Sequence, residues 1–351
     1  MKKTIALMIA AGITLGLASG LIWAQDKPAA PPAQGRIPKE IKSAMEAGLA
    51  ARQSAKSDIP FKVTENVFMP VPGKDASYIF LLLDVKNADM GYAVPPTPQV
   101  IDPTAPPAAP KLLARVYAFV QFYKLEEGKS PSMVKEIYIP AAYQLDQNGY
   151  NPEAVEWYSF GYPLAPGQYL AAVTLSTPDF QKYGIQYYEF SLPSAKDMAD
   201  KLISSPILVL KDYAQTEQPE TQAELHRGLL AWSIARITPN RERTITVGGP
   251  LDLFFFVYGA KPNSTGRFDL QIEFEVNQPD GKPAIKFAPG EFKSPLISLP
   301  LQMQQTLQIT TGDKTETKQQ DLPAGSYVLV AKISDKTSGM KGETKVNFTV
   351  K

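Results

Sequence analysis

The chain's single imidazole, His226, lies in Glu224-Leu225-His226-Arg227. An imidazole set between a nucleophile and an orienting carboxylate would serve acyl transfer. The spacing identifies no such partners, so His226 is read as a loop histidine ahead of a strand at Leu229–Ile234. Two Ser-x-x-Lys strings, Ser132-Met-Val-Lys135 and Ser338-Gly-Met-Lys341, have the spacing of a serine nucleophile and its lysine. That chemistry places the serine at a helix start with companion motifs elsewhere; here one string runs into a strand, the other falls in a hairpin, and the companions are missing. Two carboxylates suffice for glycoside hydrolysis, but among 35 acidic residues spacing selects no pair. Asp146-Gln-Asn-Gly149 begins like a calcium loop and lacks the third ligand and the distal Glu, so a turn is expected. Aromatic residues are the remaining candidates. Trp157, Tyr158, Phe160 and Tyr162 form one cluster, and Tyr183, Tyr187 and Tyr188 another. Such rings stack on sugars, anchor a protein partner or fill a core. Trp157, Tyr158, Tyr162, Tyr183, Tyr187 and Tyr188 are taken as the candidate binding surface.

Composition narrows the chemistry further. The chain has no Cys, which removes disulfides, thiolate metal sites and cysteine nucleophiles. One His removes every two-histidine zinc motif. Neither a phosphate-cradling G-x-x-x-x-G-K-[ST] loop nor a G-x-G-x-x-G turn occurs. No cofactor and no metal site is expected. Lys and Arg (36) balance Asp and Glu (35), so the basic excess of a nucleic-acid partner is missing.

The elements that must position these residues begin after an export segment. Lys2 and Lys3 precede the uncharged, almost wholly apolar run Thr4–Trp23, and Ala24 offers a small residue for cleavage before Gln25. This is the pattern of a secretory signal peptide over 1–24. The run is also long enough to span a bilayer, so an uncleaved anchor is the alternative, and the only membrane contact expected. Residues 25–57 read as a Pro/Ala linker and a short helix over Ile37–Ala55, with Ile41, Met45, Leu49 and Arg52 on one stripe.

From Phe61 the apolar period changes from helical to two. Strands are expected at Tyr78–Lys86, Leu112–Lys124, Val134–Ile139, Trp157–Phe160, Tyr169–Leu175 and Ile185–Leu192. Between the first two, Ala93–Pro110 carries seven prolines and must be a loop, because no ladder tolerates so many missing N–H donors. Pro193–Ser204 is read as a short helix at a slight junction. In the second half, Leu253–Tyr258 is apolar on both faces, and Phe268–Asn277 alternates apolar and polar. The alternation places Phe268, Leu270, Ile272, Phe274 and Val276 on a buried face, with Glu273 and Glu275 in solvent.

A repeat joins the halves. Leu164-Ala-Pro-Gly-Gln-Tyr169 and Leu322-Pro-Ala-Gly-Ser-Tyr327 share L-x-x-G-x-Y, and each tyrosine lies 21 residues before a closing phenylalanine, Phe190 or Phe348. A turn, a strand, a hairpin and a last strand account for this, with each Tyr as a corner residue. The fold expected is all-β: two tandem antiparallel immunoglobulin-like or fibronectin-like β-sandwiches over 58–193 and 205–351, with 194–204 between them and a barrel as the alternative.

Gly228–Lys351 also resembles the C-terminal β-sandwich of secreted bacterial proteins of the GWxTD-domain and von Willebrand A-related groups. The resemblance rests on Ile237-Thr-Pro-Asn240, Pro250–Tyr258, Gly266–Phe274, Leu322–Tyr327 and Phe348-Thr-Val350. It implies the scaffold and an envelope setting and carries over no site. No GWxTD string occurs, and Asp75-Ala-Ser77-Tyr-Ile79 departs from the Asp-x-Ser-x-Ser metal motif at its last residue. In a bacterial setting the glycosylation sequons at Asn263 and Asn347 carry no meaning.

These readings converge on an exported, non-enzymatic β-sandwich protein, periplasmic or extracellular, acting as a binding or scaffold module for another envelope protein. A carbohydrate-binding module that offers exposed aromatic rings to a glycan is the alternative. A hydrolase with a carboxylate pair between the domains is the second.

Overall fold

The computed structural model describes residues 36–351 except 54–55, 72–73, 96–110, 195, 199, 221 and 312–313, and side chains outside 307–316. The segment read as an export signal, the Pro/Ala linker and most of the Pro-rich loop lie outside the described residues. The chain is all-β, 58% strand and 4% helical, with antiparallel sheets in a sandwich-like packing.

Four sheets carry the body. Sheet I orders Phe61–Pro70, Ser77–Lys86, Val155–Leu164 and His226–Arg227. Sheet II orders Ser132–Asp146, Lys111–Leu125, Gly167–Ser176 and Tyr183–Leu192. Sheet III orders Leu230–Trp232, Ala235–Pro239, Leu208–Gln215, Pro250–Tyr258 and Leu296–Gln302, with Ile203–Ser204 beside Pro250–Tyr258. Sheet IV orders Thr244–Ile245, Lys341–Val350, Gly325–Asp335, Leu270–Asn277 and Pro283–Lys286, with Gly290–Phe292 beside Leu270–Asn277. A separate two-stranded ribbon pairs Gln304–Thr311 with Lys314–Asp321. The six strands expected in the first half all form and run longer than their apolar cores alone indicate.

Alternation along each strand decides which faces meet. Ile79, Leu81, Leu83 and Val85 of sheet I join Ala118, Val120, Phe122 and Val173 of sheet II in one core. Leu253, Phe255 and Val257 of sheet III join Leu270, Ile272, Phe274 and Val276 of sheet IV in another. A third core lies between the remaining faces of sheets I and III, built from Met69, Phe80, Leu82, Leu230, Trp232, Ile237 and Phe254. Here the structure corrects the slight junction read from sequence: the two halves share a broad apolar layer. Burying both faces of Pro250–Tyr258 is also why that strand is apolar on both. Strand Phe61–Pro70 serves two cores through a bulge between Val63 and Glu65. Before it Phe61 and Val63 enter the first core; after it Val67 and Met69 enter the third, since one extra residue reverses the facing of all that follow. Phe80 can pack over its cross-strand neighbour only because that neighbour is Gly161; a Cβ there would clash with the ring.

The outer face of sheet II is covered by the helix, Lys39–Ala47, shorter than the Ile37–Ala55 expected. Ile41 and Met45 are buried against Phe119, Tyr123 and Leu170, and Leu49 packs partly, as their spacing requires. The helix stops because the Tyr187 hydroxyl takes the Met45 carbonyl at 2.6 Å and the chain turns back through Arg52, which pairs with Glu189. The described residues of 193–204 form no helix either. The Ser194 N–H and hydroxyl both bond the Asp197 carboxylate, closing one turn, after which Ile203–Ser204 extends to pair with Tyr258 and Val257. Phe268 is half-buried ahead of its strand, which starts at Leu270, while Leu270, Ile272, Phe274 and Val276 are buried as expected. Glu273 is exposed, but Glu275 is enclosed between Lys332 (3.1 Å) and Lys286 (3.4 Å).

The repeated turn has the same geometry twice. The Tyr169 hydroxyl donates to the Ala165 carbonyl at 2.8 Å, and the Tyr327 hydroxyl to the Pro323 carbonyl at 3.0 Å. Each tyrosine stands opposite its closing phenylalanine in the ladder, with ring centroids 5.5 Å apart for Tyr169–Phe190 and 5.8 Å for Tyr327–Phe348. Gly167 takes φ +147°, a backbone conformation that other L residues rarely adopt, so the entry to this turn calls for glycine.

Candidate functional site

The six aromatic candidates do not share a surface. Tyr158 is 1% exposed inside the first core, its ring 5.0 Å from that of Tyr143. Burial, reinforced by the Tyr92 hydroxyl 3.4 Å away, pushes its phenol far above the usual range. Tyr162 and Tyr188 pack partly against the same core, Tyr162 stacked on Phe122 and Tyr188 donating to Asn66 Oδ1 at 3.0 Å. Trp157 borders the third core with Arg241 over its ring. Tyr183 and Tyr187 flank the helix on the outer face of sheet II, and burial raises the Tyr187 phenol to about 12. A sugar platform needs coplanar exposed rings; these six serve three different packing layers. Period-two alternation alone distributes them so, because Trp157 and Tyr158, like Tyr187 and Tyr188, are neighbours that must face opposite sides of a sheet.

Acids between sheets I and III are matched by arginines. Arg241 forks onto the Asp84 carboxylate and also reaches Thr64 Oγ1 at 3.1 Å, while Arg243 lies 3.8 Å from Glu65. The enclosed space beside them is about 30 Å³, lined by Val67, Leu82, Leu230 and Asn240. It is the size of one or two waters. A shallow groove of about 230 Å³ forms where Leu208–Gln215 leaves Pro250–Tyr258 to pair with Ala235–Pro239.

The Ser-x-x-Lys strings have no helical context. Ser132 opens an edge strand, and the Ser338 hydroxyl donates to the Asp335 carboxylate at 2.6 Å in a hairpin turn. Asp146 pairs with Lys111 and precedes a 3-10 turn.

His226 is the one sequence candidate that the structure places among converging polar groups. The chain leaves sheet III after Gln215, crosses to sheet I where His226 and Arg227 pair with Ser159 and Tyr158, and returns to sheet III at Leu230. Leu225 plugs the first core, its carbonyl accepting the Tyr143 hydroxyl at 2.6 Å. Arg227 pairs with Glu156 at 3.0 Å, and Gly228 N–H bonds the Trp157 carbonyl at 2.9 Å. The strand read at Leu229–Ile234 is only Leu230–Trp232, reversing at Ser233 to pair with Ala235. Beside this crossing, His226 Nε2 lies 3.0 Å from Glu220 Oε2, and Arg236 holds Glu220 Oε1 at 2.7 Å. Glu224 completes the group: one ligand atom each from Glu220, Glu224 and His226 lies within 4.8 Å of the others. The sequence signal was three metal-ligating residues within seven positions; the part of Arg236, on another strand, had no local signal.

No protein-family model matches this chain, and no curated protein matches it.

Proposed function

We propose that this is an exported protein of a bacterial envelope, two immunoglobulin-like sandwiches in tandem, that works without catalysis as a binding or scaffold module for another envelope protein. One observation carries the reading: three apolar cores follow one another through the four sheets, covering both faces of sheets I and III. Such a body is stiff, and it meets partners through edges and ribbons. Among the described residues the 15-residue strand Ser132–Asp146 pairs on one side only, and Met133 and Val134 are exposed at its start. A free edge of this kind accepts a partner's strand by main-chain hydrogen bonding. The charged start, apolar run and Ala24–Gln25 junction support export, and the resemblance of Gly228–Lys351 to secreted bacterial sandwiches supports the envelope setting.

Two measurements test this. Mass spectrometry of the native protein is expected to find an N-terminus at Gln25 in an exported fraction. An intact Met1 in a membrane fraction would replace cleavage by an anchor, and an intact Met1 in the cytoplasm would overturn export. A photo-crosslinking residue at Met133 is expected to capture one protein in cells, with capture lost in Lys135→Pro. Equal capture from a probe at Lys345, on the outer face of sheet IV, would overturn the edge as the recognition element.

A further inference from the structure

We propose that Glu220, Glu224 and His226 form a binding site for one divalent transition-metal ion of the zinc class. The group comprises the chain's only imidazole and two carboxylates, with one ligand atom of each within 4.8 Å of the others. One nitrogen and two oxygens suit zinc and its first-row neighbours, whereas calcium and magnesium take oxygen alone. Zinc ligands about 2.0–2.2 Å from the metal stand roughly 3.3 Å from one another in a tetrahedron. Glu220 Oε2 and His226 Nε2 are already 3.0 Å apart, so these two need little adjustment to receive an ion. Glu224 is exposed, and its side chain is free to swing in as the third ligand, leaving a fourth position for water.

The surroundings are those of a supported site. Arg236 binds the Glu220 oxygen that faces away from the imidazole, at 2.7 Å, and so fixes the oxygen that faces it. An outer cation in that place orients a ligand without occupying the metal position. The backbone carrying His226 is clamped by its ladder to Ser159, by Leu225 in the core and by Arg227 on Glu156. Two carboxylates against one guanidinium leave a net charge of about −1 when the imidazole is neutral, which favours a divalent cation. The side chains of His226 and Glu220 are 15% and 22% exposed, low enough to limit competition from water and open enough for an ion to enter. The ion would then pin the crossing between sheets III and I.

The test is calorimetric titration of the mature protein with zinc chloride, with cobalt(II) as a spectroscopic substitute. One ion per chain is expected, with the visible absorption of a low-coordinate cobalt site and a rise in Tm on zinc addition. His226→Gln keeps a polar group toward Glu220 but lacks the imidazole, and Glu224→Gln removes an exposed ligand. Each is expected to weaken binding at least tenfold and abolish the zinc-dependent rise in Tm, while the metal-free circular dichroism spectrum is unchanged. Absence of stoichiometric binding, several weak sites, or affinity unaltered in both variants would overturn the proposal.

Discussion

Phe254→Ala tests whether the third core makes the two halves one cooperative body. Phe254 is fully buried in that core, with its ring 6.0 Å from Tyr213 and 6.2 Å from Trp232. Truncating a buried phenylalanine costs about 3–5 kcal/mol, and losing two aromatic contacts puts this case at ~4 kcal/mol. Unfolding entropy is about 2.1 cal/mol/K per residue, so for a body of roughly 300 residues unfolding at once Tm falls by about 6 °C. If each half unfolded alone, the loss would fall on roughly 150 residues and lower that half's Tm by about 12 °C, leaving the other unmoved. The tryptophans suit the assay. Beyond Trp23 the chain has only Trp157 and Trp232, and both border the third core. Fluorescence therefore reports the shared layer, and far-ultraviolet circular dichroism reports all sheets. Coincident transitions displaced together by about 6 °C are expected. Two transitions, with only one displaced, would refute the coupling.

Removing only the corner hydroxyls, as Tyr169→Phe or Tyr327→Phe, is expected to cost about 1 kcal/mol each in urea denaturation, one hydrogen bond to a backbone carbonyl apiece; unchanged midpoints would remove the corner role. Gly161→Ala drives a Cβ toward the Phe80 ring and is expected to destabilise by about 1–3 kcal/mol, an effect that Phe80→Leu should relieve in a double-mutant cycle. Asp335 is 1% exposed. Burial alone would raise its pKa, but bonds from the Ser338 hydroxyl and from the Lys261 and Thr337 N–H groups outweigh that and hold it below its ordinary 3.8. A carboxyl whose folded pKa is depressed stabilises above its unfolded value and loses that contribution as pH falls through the folded one. Tm should therefore drop below about pH 4, and Asp335→Asn should be less stable than wild type by about 2 kcal/mol at pH 7 and flatter in acid; parallel pH profiles would exclude the role.

Much of the fold was legible in the residues themselves. Alternation in Leu270–Asn277 named its buried face, since a strand with one wet face must alternate. The L-x-x-G-x-Y repeat located both corners, because the tyrosine reaches a carbonyl only four residues upstream and the geometry is local. Helical spacing found Ile41 and Met45, yet the helix end was set by Tyr187, far along the chain. The aromatic clusters were misleading as a surface, since adjacent residues in a strand face opposite layers and the sequence does not say how many layers cover a sheet.

Residue order by itself determined the all-β class, the six strands expected between Tyr78 and Leu192, the strands around Leu253–Tyr258 and Leu270–Asn277, and the turn that recurs in both halves, because alternation and turn chemistry act over a few residues. Only the tertiary structure decided that sheets I and III meet in a third core and that Phe80 and Phe254 point into it. It alone decided that Arg236 joins Glu220 and His226 beside a crossing between sheets. Those features depend on which faces of distant strands are brought together, and a buried apolar face reads the same in sequence whichever sheet covers it.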